Sequence, residues 1–368
     1  MKKLLFVFIG ILFFSMNATS QGCADAGDGD GVKIIGFIQP QYEYQFLGDS
    51  VQSIMNGLKT PSSFYFNRAR LGVTGNIPYD FSYYFIAEYS PTKGGAAILD
   101  AFVTYNRWAP YLKISMGQFK MPFGLELSTP CQDLYSVDRS RVVNELASPF
   151  REFGVMMLGS TGEKEILWMK HKDVFKYFIA LTNGSGLNVM DNNTDKDIMA
   201  RLIFQPIEGL EIGGSFKYGR QAAISANMID DSRLRFGGDL SFKKYNVILQ
   251  GEYIYGKDKG SSLVGGGCGS TPTIMLGNFI KSGYWAALQY ETKWKLNPLV
   301  KYQSFLATTD IKGVDDQTQT ELIFGLNYYF NDYTRFQANF VITDDSAIHD
   351  GKDFTKNFLV LQMQVKFN

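Results

Sequence analysis

Polar and apolar residues alternate at every second position along most of this chain, and this alternation constrains its fold more than any other feature. In the last such stretch, positions 357–368, one face is apolar and the other is polar or basic. The apolar residues are Leu359, Leu361, Met363, Val365 and Phe367, and the polar ones are Gln362, Gln364, Lys366 and Asn368. Period-two alternation predicts β-strands that lie between two different environments.

The apolar faces of these strands need a cover. Helical periodicity is almost absent from the chain, so a covering layer of helices is not expected. Lipid is the better candidate, and inside hydrocarbon only a closed barrel leaves no unpaired backbone groups. We therefore predict an all-β fold, a transmembrane antiparallel β-barrel. The alternative is a soluble β-sandwich or a secreted barrel with an ordinary core.

About sixteen strands can be placed on the sequence. The first three span residues 32–46, 64–76 and 79–89, and the next two are centred on 99–105 and 112–116. The others span 153–160, 173–182, 197–206, 209–219, 232–243, 245–256, 279–291, 298–308, 320–330, 333–343 and 357–368.

The connections between these strands alternate short with long. The short ones are 77–80, 107–110, 207–209, 243–245, 294–298 and 331–333. The longer ones are 47–63, 121–152, 183–196, 220–231, 257–278, 309–319 and 344–356. Short periplasmic turns and longer extracellular loops are typical of outer-membrane barrels. Two connections fit this pattern less well: 90–96 is a short outside loop, and 161–172 is a long inside turn.

The first residues predict a secretory signal peptide. Lys2 and Lys3 precede an apolar run over 4–14, and Ser20 closes a small-residue segment before Gln21. The run is too short to span a hydrocarbon core of about 30 Å as a helix. We predict a signal peptide at 1–20, a flexible N-terminal segment at 21–31 and one barrel domain at 32–368, integral to the outer membrane of a Gram-negative bacterium and in contact with its lipid.

Charge and cysteine content exclude several classes. Thirty-six basic and thirty-six acidic residues cancel, which gives no reason to expect nucleic acid as a partner. The cysteines, Cys23, Cys131 and Cys268, are too few for a disulfide framework and lack metal-site spacing. Cys131 and Cys268 both fall in predicted outside loops, so a disulfide between them remains open. No cofactor is expected.

Two segments carry a family resemblance. The first contains Phe66-Asn67-Arg68-Ala69-Arg70-Leu71-Gly72-Val73 and Leu99-Asp100-Ala101-Phe102-Val103-Thr104-Tyr105. The second contains Gly117-Gln118-Phe119-Lys120-Met121-Pro122-Phe123-Gly124-Leu125-Glu126, followed by Asp138-Arg139-Ser140 and Arg151-Glu152-Phe153-Gly154-Val155. Together they resemble the phosphate-selective porin O and P family, most strongly over residues 64–206. The resemblance implies a sixteen-stranded, usually trimeric porin whose long third extracellular loop folds into the lumen, with rows of basic residues that select anions.

Strand register predicts which charges face the lumen. The predicted pore-lining basic residues are Arg68, Arg70, Lys113, Arg201, Lys217, Arg233, Arg235, Lys281, Lys301 and Arg335, joined by Lys33, Lys176 and Lys366. The inward acids are Glu43, Asp80, Glu88, Asp100, Glu211, Asp239, Glu252 and Glu321, and the facing of Glu291 is left open. A basic excess in a narrow channel attracts anions. The alternative is that these charges pair across strands and merely keep the interior polar.

The third outside loop, counted independently as 121–152, is also the longest. Its predicted constriction residues, with one from the preceding strand, are Lys120, Glu126, Asp133, Asp138, Arg139, Arg141, Glu145 and Arg151. This mixture of signs is typical of a general porin constriction rather than an all-basic filter.

The other candidate sites are weak. Asp191, Asn193, Asp195 and Asp197 alternate as at the start of a calcium loop, but Lys196 replaces the usual glycine, so a solvated acidic loop is expected. His171 and His349 are the chain's histidines and fall in different connections, which argues against an enzyme. We expect passive diffusion of small hydrophilic solutes with a preference for anions, phosphate-like oxyanions included, by a homotrimer. The alternative function is a non-conducting scaffold or adhesin barrel. Bulky residues on the inward face, Ile86, Phe102 and Ile248, weakly favour it.

Overall fold

The computed structural model describes residues 31–47, 62–166, 169–221, 231–264, 273–310, 316–345 and 356–367. Its strands are β1 Val32–Leu47, β2 Ser62–Ile77, β3 Phe81–Glu88, β4 Ala97–Trp108, β5 Leu112–Lys120, β6 Arg151–Ser160, β7 Glu163–Ile166, β8 Met169–Lys172, β9 Phe175–Thr182, β10 Asp197–Ile207, β11 Leu210–Gln221, β12 Asp231–Lys244, β13 Val247–Val264, β14 Thr273–Tyr290, β15 Leu296–Thr309, β16 Gln317–Tyr329, β17 Thr334–Asp345 and β18 Lys356–Phe367. All except β7 and β8 form one closed antiparallel barrel of sixteen strands. The predicted fold class is confirmed.

Closure occurs between the first and last strands. β1 pairs with β2 along one edge and with β18 along the other, where Gln41 lies opposite Gln362. Each barrel strand thus has a hydrogen-bonded neighbour on both sides, and the sheet has no free edge. A wall of this kind can stand in hydrocarbon because its backbone polar groups are paired within it.

The two faces of the wall differ as the alternation predicts. On β10, Arg201 is 2% exposed, whereas its neighbour Leu202 is 63% exposed. On β15, Lys301 is 2% exposed and Val300 is 44% exposed. Because the barrel is closed, the buried polar face lines the interior and the exposed apolar face is the outer surface, which suits contact with lipid.

One end of the barrel carries tight turns. Tyr245 and Asn246 join β12 to β13 and both have positive φ angles, +57° and +62°, as a two-residue type I′ turn requires. Tyr79 and Asp80 before β3 also have positive φ angles. The predicted short inside connections are found at this end, whereas the chain between β5 and β6 at the other end spans residues 121–150.

One predicted loop is wrong, and one predicted connection contains an unexpected hairpin. β13 and β14 are 18 residues each and extend as a paired ladder to Val264 and Thr273, where a loop from 257 to 278 was expected. The long connection expected at 161–172 is present between β6 and β9, and it contains the hairpin β7–β8, which pairs only with itself among the described residues. β6 therefore pairs directly with β9 in the barrel wall.

The connection at 121–150, hereafter the L3 segment, has its own short elements. These are helix α1 at Leu125–Ser128, a 3₁₀ turn at Cys131–Asp133 and helix α2 at Arg141–Leu146; a further 3₁₀ turn, Pro91–Lys93, lies between β3 and β4. Within the described ranges, no helix is both long and apolar enough to cross a bilayer. The predicted signal peptide and nearly all of the 21–31 segment lie outside the described residues.

Candidate functional site

All ten predicted pore-lining basic residues lie within the described strands. Six of them are buried: Arg68, Arg201, Lys217, Arg235, Lys301 and Arg335. Four are partly exposed: Arg70, Lys113, Arg233 and Lys281. Burial of so many charges is costly unless each is paired or hydrogen-bonded, so their partners decide what they can do.

Arg201 on β10 is held by a two-point ion pair. Its two terminal nitrogens lie 2.5 and 2.9 Å from the carboxylate oxygens of Asp239 on β12, two strands away. The intervening strand places Gly213 opposite Asp239, and a side chain there would overlap the Asp239 carboxylate. The glycine therefore leaves room for the pair to cross β11, and the Arg201 charge is neutralised within the wall.

Other inward basic residues are also matched with acids. Lys217 Nζ lies 3.2 Å from Asp197, and both side chains are almost fully buried. Arg235 forms a two-point pair with Asp258 on the adjacent strand β13. Along β10–β13, these inward basic residues are therefore better described as members of ion pairs across strands than as free pore-lining charges.

The L3 segment contacts side chains of the interior face through a buried ion pair. Lys301 Nζ on β15 lies 2.5 Å from Glu126 Oε1 and 3.0 Å from the Ser136 hydroxyl. The other Glu126 oxygen accepts the Ser140 N–H at 2.7 Å. Glu252 on β13 accepts the backbone N–H of Glu126 at 3.0 Å, so side chains from two strands bind the start of L3.

Side chains on the adjoining strands β16, β17 and β18, most of them amides, bind the backbone of L3 between residues 132 and 135. Asn327 and Gln337 both donate to the Tyr135 carbonyl, at 3.0 and 3.1 Å. Arg335 donates to the Leu134 carbonyl at 2.9 Å, and Gln364 to the Gln132 carbonyl at 3.1 Å. These donors lie on β16, β17 and β18, so the contacts of L3 extend round much of the barrel.

Apolar side chains of L3 and of the interior face form one buried cluster. L3 supplies Met121, Phe123, Leu127, Val142, Val143, Leu146 and Ala147. The strands supply Phe102, Phe119, Met156, Phe178, Ala180, Met199, Ile203, Ile254, Trp285, Ala287, Leu299 and Phe305. The segment is thus docked by hydrophobic packing as well as by polar contacts.

Cationic groups converge on Cys131 in L3. A terminal nitrogen of Arg70 and one of Arg139 each lie 3.3 Å from its Sγ, and Arg68 and Lys120 also act on it electrostatically. Burial alone raises the pKa of a thiol, but here the positive charges outweigh it and hold the pKa of Cys131 well below its usual value. We name Arg68, Arg70, Lys120 and Arg139, with Cys131, the basic cluster.

Acids neutralise only part of the basic cluster. Arg70 Nε lies 2.8 Å from Glu88, and Arg68 lies 3.6 Å from the half-exposed Asp138. Lys120 donates to the Thr129 carbonyl at 3.1 Å, and the Arg139 guanidinium donates to the carbonyls of Glu126 and Thr129.

The other predicted constriction residues lie apart from one another in the structure. Arg151 lies in β6 rather than in the loop, opposite Lys120, and forms a two-point pair with Asp100. Arg141 contacts Gln319 and lies 3.8 Å from Glu145, which also lies 3.9 Å from Lys281. Asp133, Asp138 and Glu145 are exposed, whereas Glu126 is buried. The eight residues do not form a single ring.

Metal and catalytic candidates acquire no support. Asp191 accepts the Asn193 N–H and pairs with Lys196, and the described ranges contain no group of three His, Cys, Asp or Glu residues placed to hold a metal. Cys131 is a free thiol, and Cys268 lies outside the described residues. His171 lies in β8 at the turn end, and His349 is not among the described residues.

The interior amides were missed by sequence reasoning about charge. Gln39, Gln337, Gln362 and Asn327 are fully buried and bond to one another or to neighbouring amides. Their signal was available, because they occupy the polar phase of strands whose other face is apolar.

A closed sixteen-strand barrel with an apolar outer face and a polar interior defines the class of outer-membrane channel proteins, integral to that membrane. The model of one family, phosphate-selective porin O and P, matches residues 42–232, and the chain belongs to this family. A search of curated protein sequences finds no significant match.

Solved structures of outer membrane proteins share the fold at low identity. An anion-selective porin from Comamonas acidovorans superposes with a TM-score of 0.61 and 10% identity, covering 92% of this chain and 99% of the porin. The outer membrane channel DcaP of Acinetobacter baumannii gives 0.61 and 14%, covering 93% and 99%. A trimer form of OmpT from Vibrio cholerae gives 0.59 and 13%, covering 92% and 100%.

Proposed function

We propose that this barrel is a porin for passive diffusion of small hydrophilic solutes that favours anions, phosphate-like oxyanions among them. The basic cluster carries the proposal. Its four cationic groups approach one another beside L3, and the acidic groups near them, Glu88, Asp138 and the Cys131 thiol, are fewer. Guanidinium groups bind oxyanions through paired hydrogen bonds, so this part of the interior is suited to an anion.

The proposal includes L3 as a constriction folded into the lumen. Its support is the set of contacts that L3 makes with interior-face side chains of β13, β15, β16, β17 and β18.

We also propose that the protein acts as a homotrimer. Trimers are usual in the family that the chain resembles, and one solved structure of similar fold, OmpT of Vibrio cholerae, is a trimer form. Cross-linking of the native membrane protein tests this point, since a monomer alone after cross-linking would contradict it.

Charge removal from the basic cluster tests the anion preference. Purified protein is placed in a planar bilayer across a potassium chloride gradient, and the reversal potential gives the chloride-to-potassium permeability ratio. Arg68→Ala with Arg70→Ala is expected to lower this ratio. Arg107→Ala is the matched control, because Arg107 is 64% exposed and paired with Asp80 near the turns. An unchanged ratio in the double variant would refute the role of the cluster.

A non-conducting scaffold is the second candidate, and the apolar cluster favours it. Packing of L3 residues such as Phe123 and Leu127 against interior-face residues fills space that a wide channel would leave to water. Ile86, Phe102 and Ile248 are all buried. A folded protein that inserts into the bilayer without conducting would support this function over the porin.

A further inference from the structure

A cavity of about 320 Å³ lies in the interior, near the end that carries the tight turns. It is bounded by β3, β4, β5, β6 and β9 and by the base of the β7–β8 hairpin. The basic cluster does not contribute to its lining. Its volume is at the lower end of the range of about 300–1,000 Å³ that is typical of small-molecule sites.

Aromatic rings form one side of this cavity. Tyr84 on β3 and Phe102 on β4 are paired across the two strands, with ring centroids 5.4 Å apart and planes inclined by 20°. Phe178 on β9 and Leu158 on β6 lie opposite each other in the same lining. Both rings belong to the cavity lining, and a ligand ring with an apolar face can pack against them.

Hydroxyl and amide groups form another side. Thr104 and Ser115 are hydrogen-bonded to each other at 2.8 Å, and Asn106 donates to Ser82 at 2.8 Å. Each hydroxyl carries one donor and two acceptor positions, so these pairs retain capacity for a ligand that both donates and accepts.

The charges of the cavity balance. Lys113 and Lys176 are matched by Glu163 and Asp173 in the lining. Lys176 is held by Glu211 at 3.0 Å, and Asp173 accepts the Ser160 hydroxyl at 2.6 Å. This part of the interior therefore lacks the basic excess that suits an oxyanion.

We propose that the cavity is a binding subsite for a neutral, polyhydroxylated ring, a monosaccharide in chemical class. The axial C–H groups of a sugar ring would lie on the Tyr84–Phe102 surface, and its hydroxyl groups would bond to Thr104, Ser115 and Asn106. The inference rests on the proposed porin function and extends it, since it assigns the interior an uncharged solute beside the anion.

D-Glucose is the probe, and the purified full chain in detergent is titrated by saturation-transfer NMR. Saturable binding is expected, weakened at least tenfold in Tyr84→Ala and by less than threefold in Tyr84→Phe, which keeps the ring. Thr104→Val, nearly isosteric, removes one hydroxyl and is expected to weaken binding severalfold. Tyr284→Ala is the matched control, because Tyr284 also belongs to an aromatic pair, with Tyr302, but lies on the outer face.

Three outcomes overturn the proposal: no saturable binding to the folded wild type, equal binding by Tyr84→Ala and Tyr284→Ala, or displacement of glucose by inorganic phosphate. The experiment is independent of conduction. Glucose binding by a protein that does not conduct would refute the porin and leave the subsite, whereas conduction without glucose binding would refute the subsite alone.

Discussion

Replacing Lys301 with methionine should release the L3 segment. Lys301 and Glu126 are 2% and 5% exposed at their side chains, so their pairing is little screened by solvent. Methionine is similar in length and unbranched, but it leaves the Glu126 carboxylate buried with one hydrogen-bond donor among the described residues, the Ser140 N–H. Removing one partner of a buried pair costs about 3–5 kcal/mol.

That cost predicts the size of the effect. Since a tenfold change in an equilibrium corresponds to about 1.4 kcal/mol, the open population of L3 should rise roughly 10²–10⁴-fold. Trypsin cleavage at Arg139 or Arg141 reports this population when L3 closes faster than it is cut. The assay is the rate at which the folded, detergent-solubilised protein is cleaved within L3.

A double variant supplies the control. Lys301→Met combined with Glu126→Gln removes both charges and keeps an acceptor for the Ser140 N–H, so much of the protection should return. Arg107→Ala, which breaks an exposed pair, should change cleavage little because such pairs contribute only about 0–1 kcal/mol. Wild-type cleavage rates in Lys301→Met, or no recovery in the double variant, would refute the assignment of this pair as the anchor of L3.

Three other perturbations follow from the same contacts. Arg201→Met should lower the free energy of unfolding, measured by urea titration, by about 3–5 kcal/mol, and adding Asp239→Leu should restore most of this loss. An equal loss in the single and the double variant would contradict the pairing. Gly124→Ala should speed L3 cleavage, because Gly124 has φ +69° and a side chain there would overlap the Glu252 carboxylate; unchanged cleavage would show that the segment can shift. The thiolate absorbance of Cys131, measured against Cys131→Ser, should appear at lower pH in the folded protein than in the unfolded protein, and the reverse order would contradict the cationic surroundings. Because the folded pKa is lowered, the associated stabilisation is complete above the pKa of the unfolded thiol and is lost as pH falls through the folded pKa.

Strand number and facing could be predicted because lipid and the interior impose opposite polarities on alternate residues. Arg201 and Lys301 were placed inward by period alone, and the structure buries both, whereas their neighbours Leu202 and Val300 are exposed. The extension of β13 and β14 was missed because this rule needs a difference in polarity between the two faces of a strand. Residues 257–261 are polar on both faces, which resembles a loop, yet Lys257 and Asp258 continue the ladder opposite Ile280 and Phe279.

The charge partners could not be predicted because they depend on contacts between distant positions. Arg201 reaches Asp239 across a strand only because Gly213 leaves space between them. Lys301 meets Glu126 only when L3 is docked. A count of inward charges therefore overstates the positive charge available to a solute, and the basic cluster beside Cys131 is where an excess remains.

Measurement of the zero-current potential of the wild-type channel is the most direct test of a porin that favours anions. One purified preparation in a planar bilayer, with potassium chloride more concentrated on one side, gives both conductance and the sign of selectivity. We predict a conducting channel whose zero-current potential has the sign expected when chloride is more permeant than potassium. A potential of the opposite sign would contradict the anion preference, and insertion without conductance would contradict the porin itself.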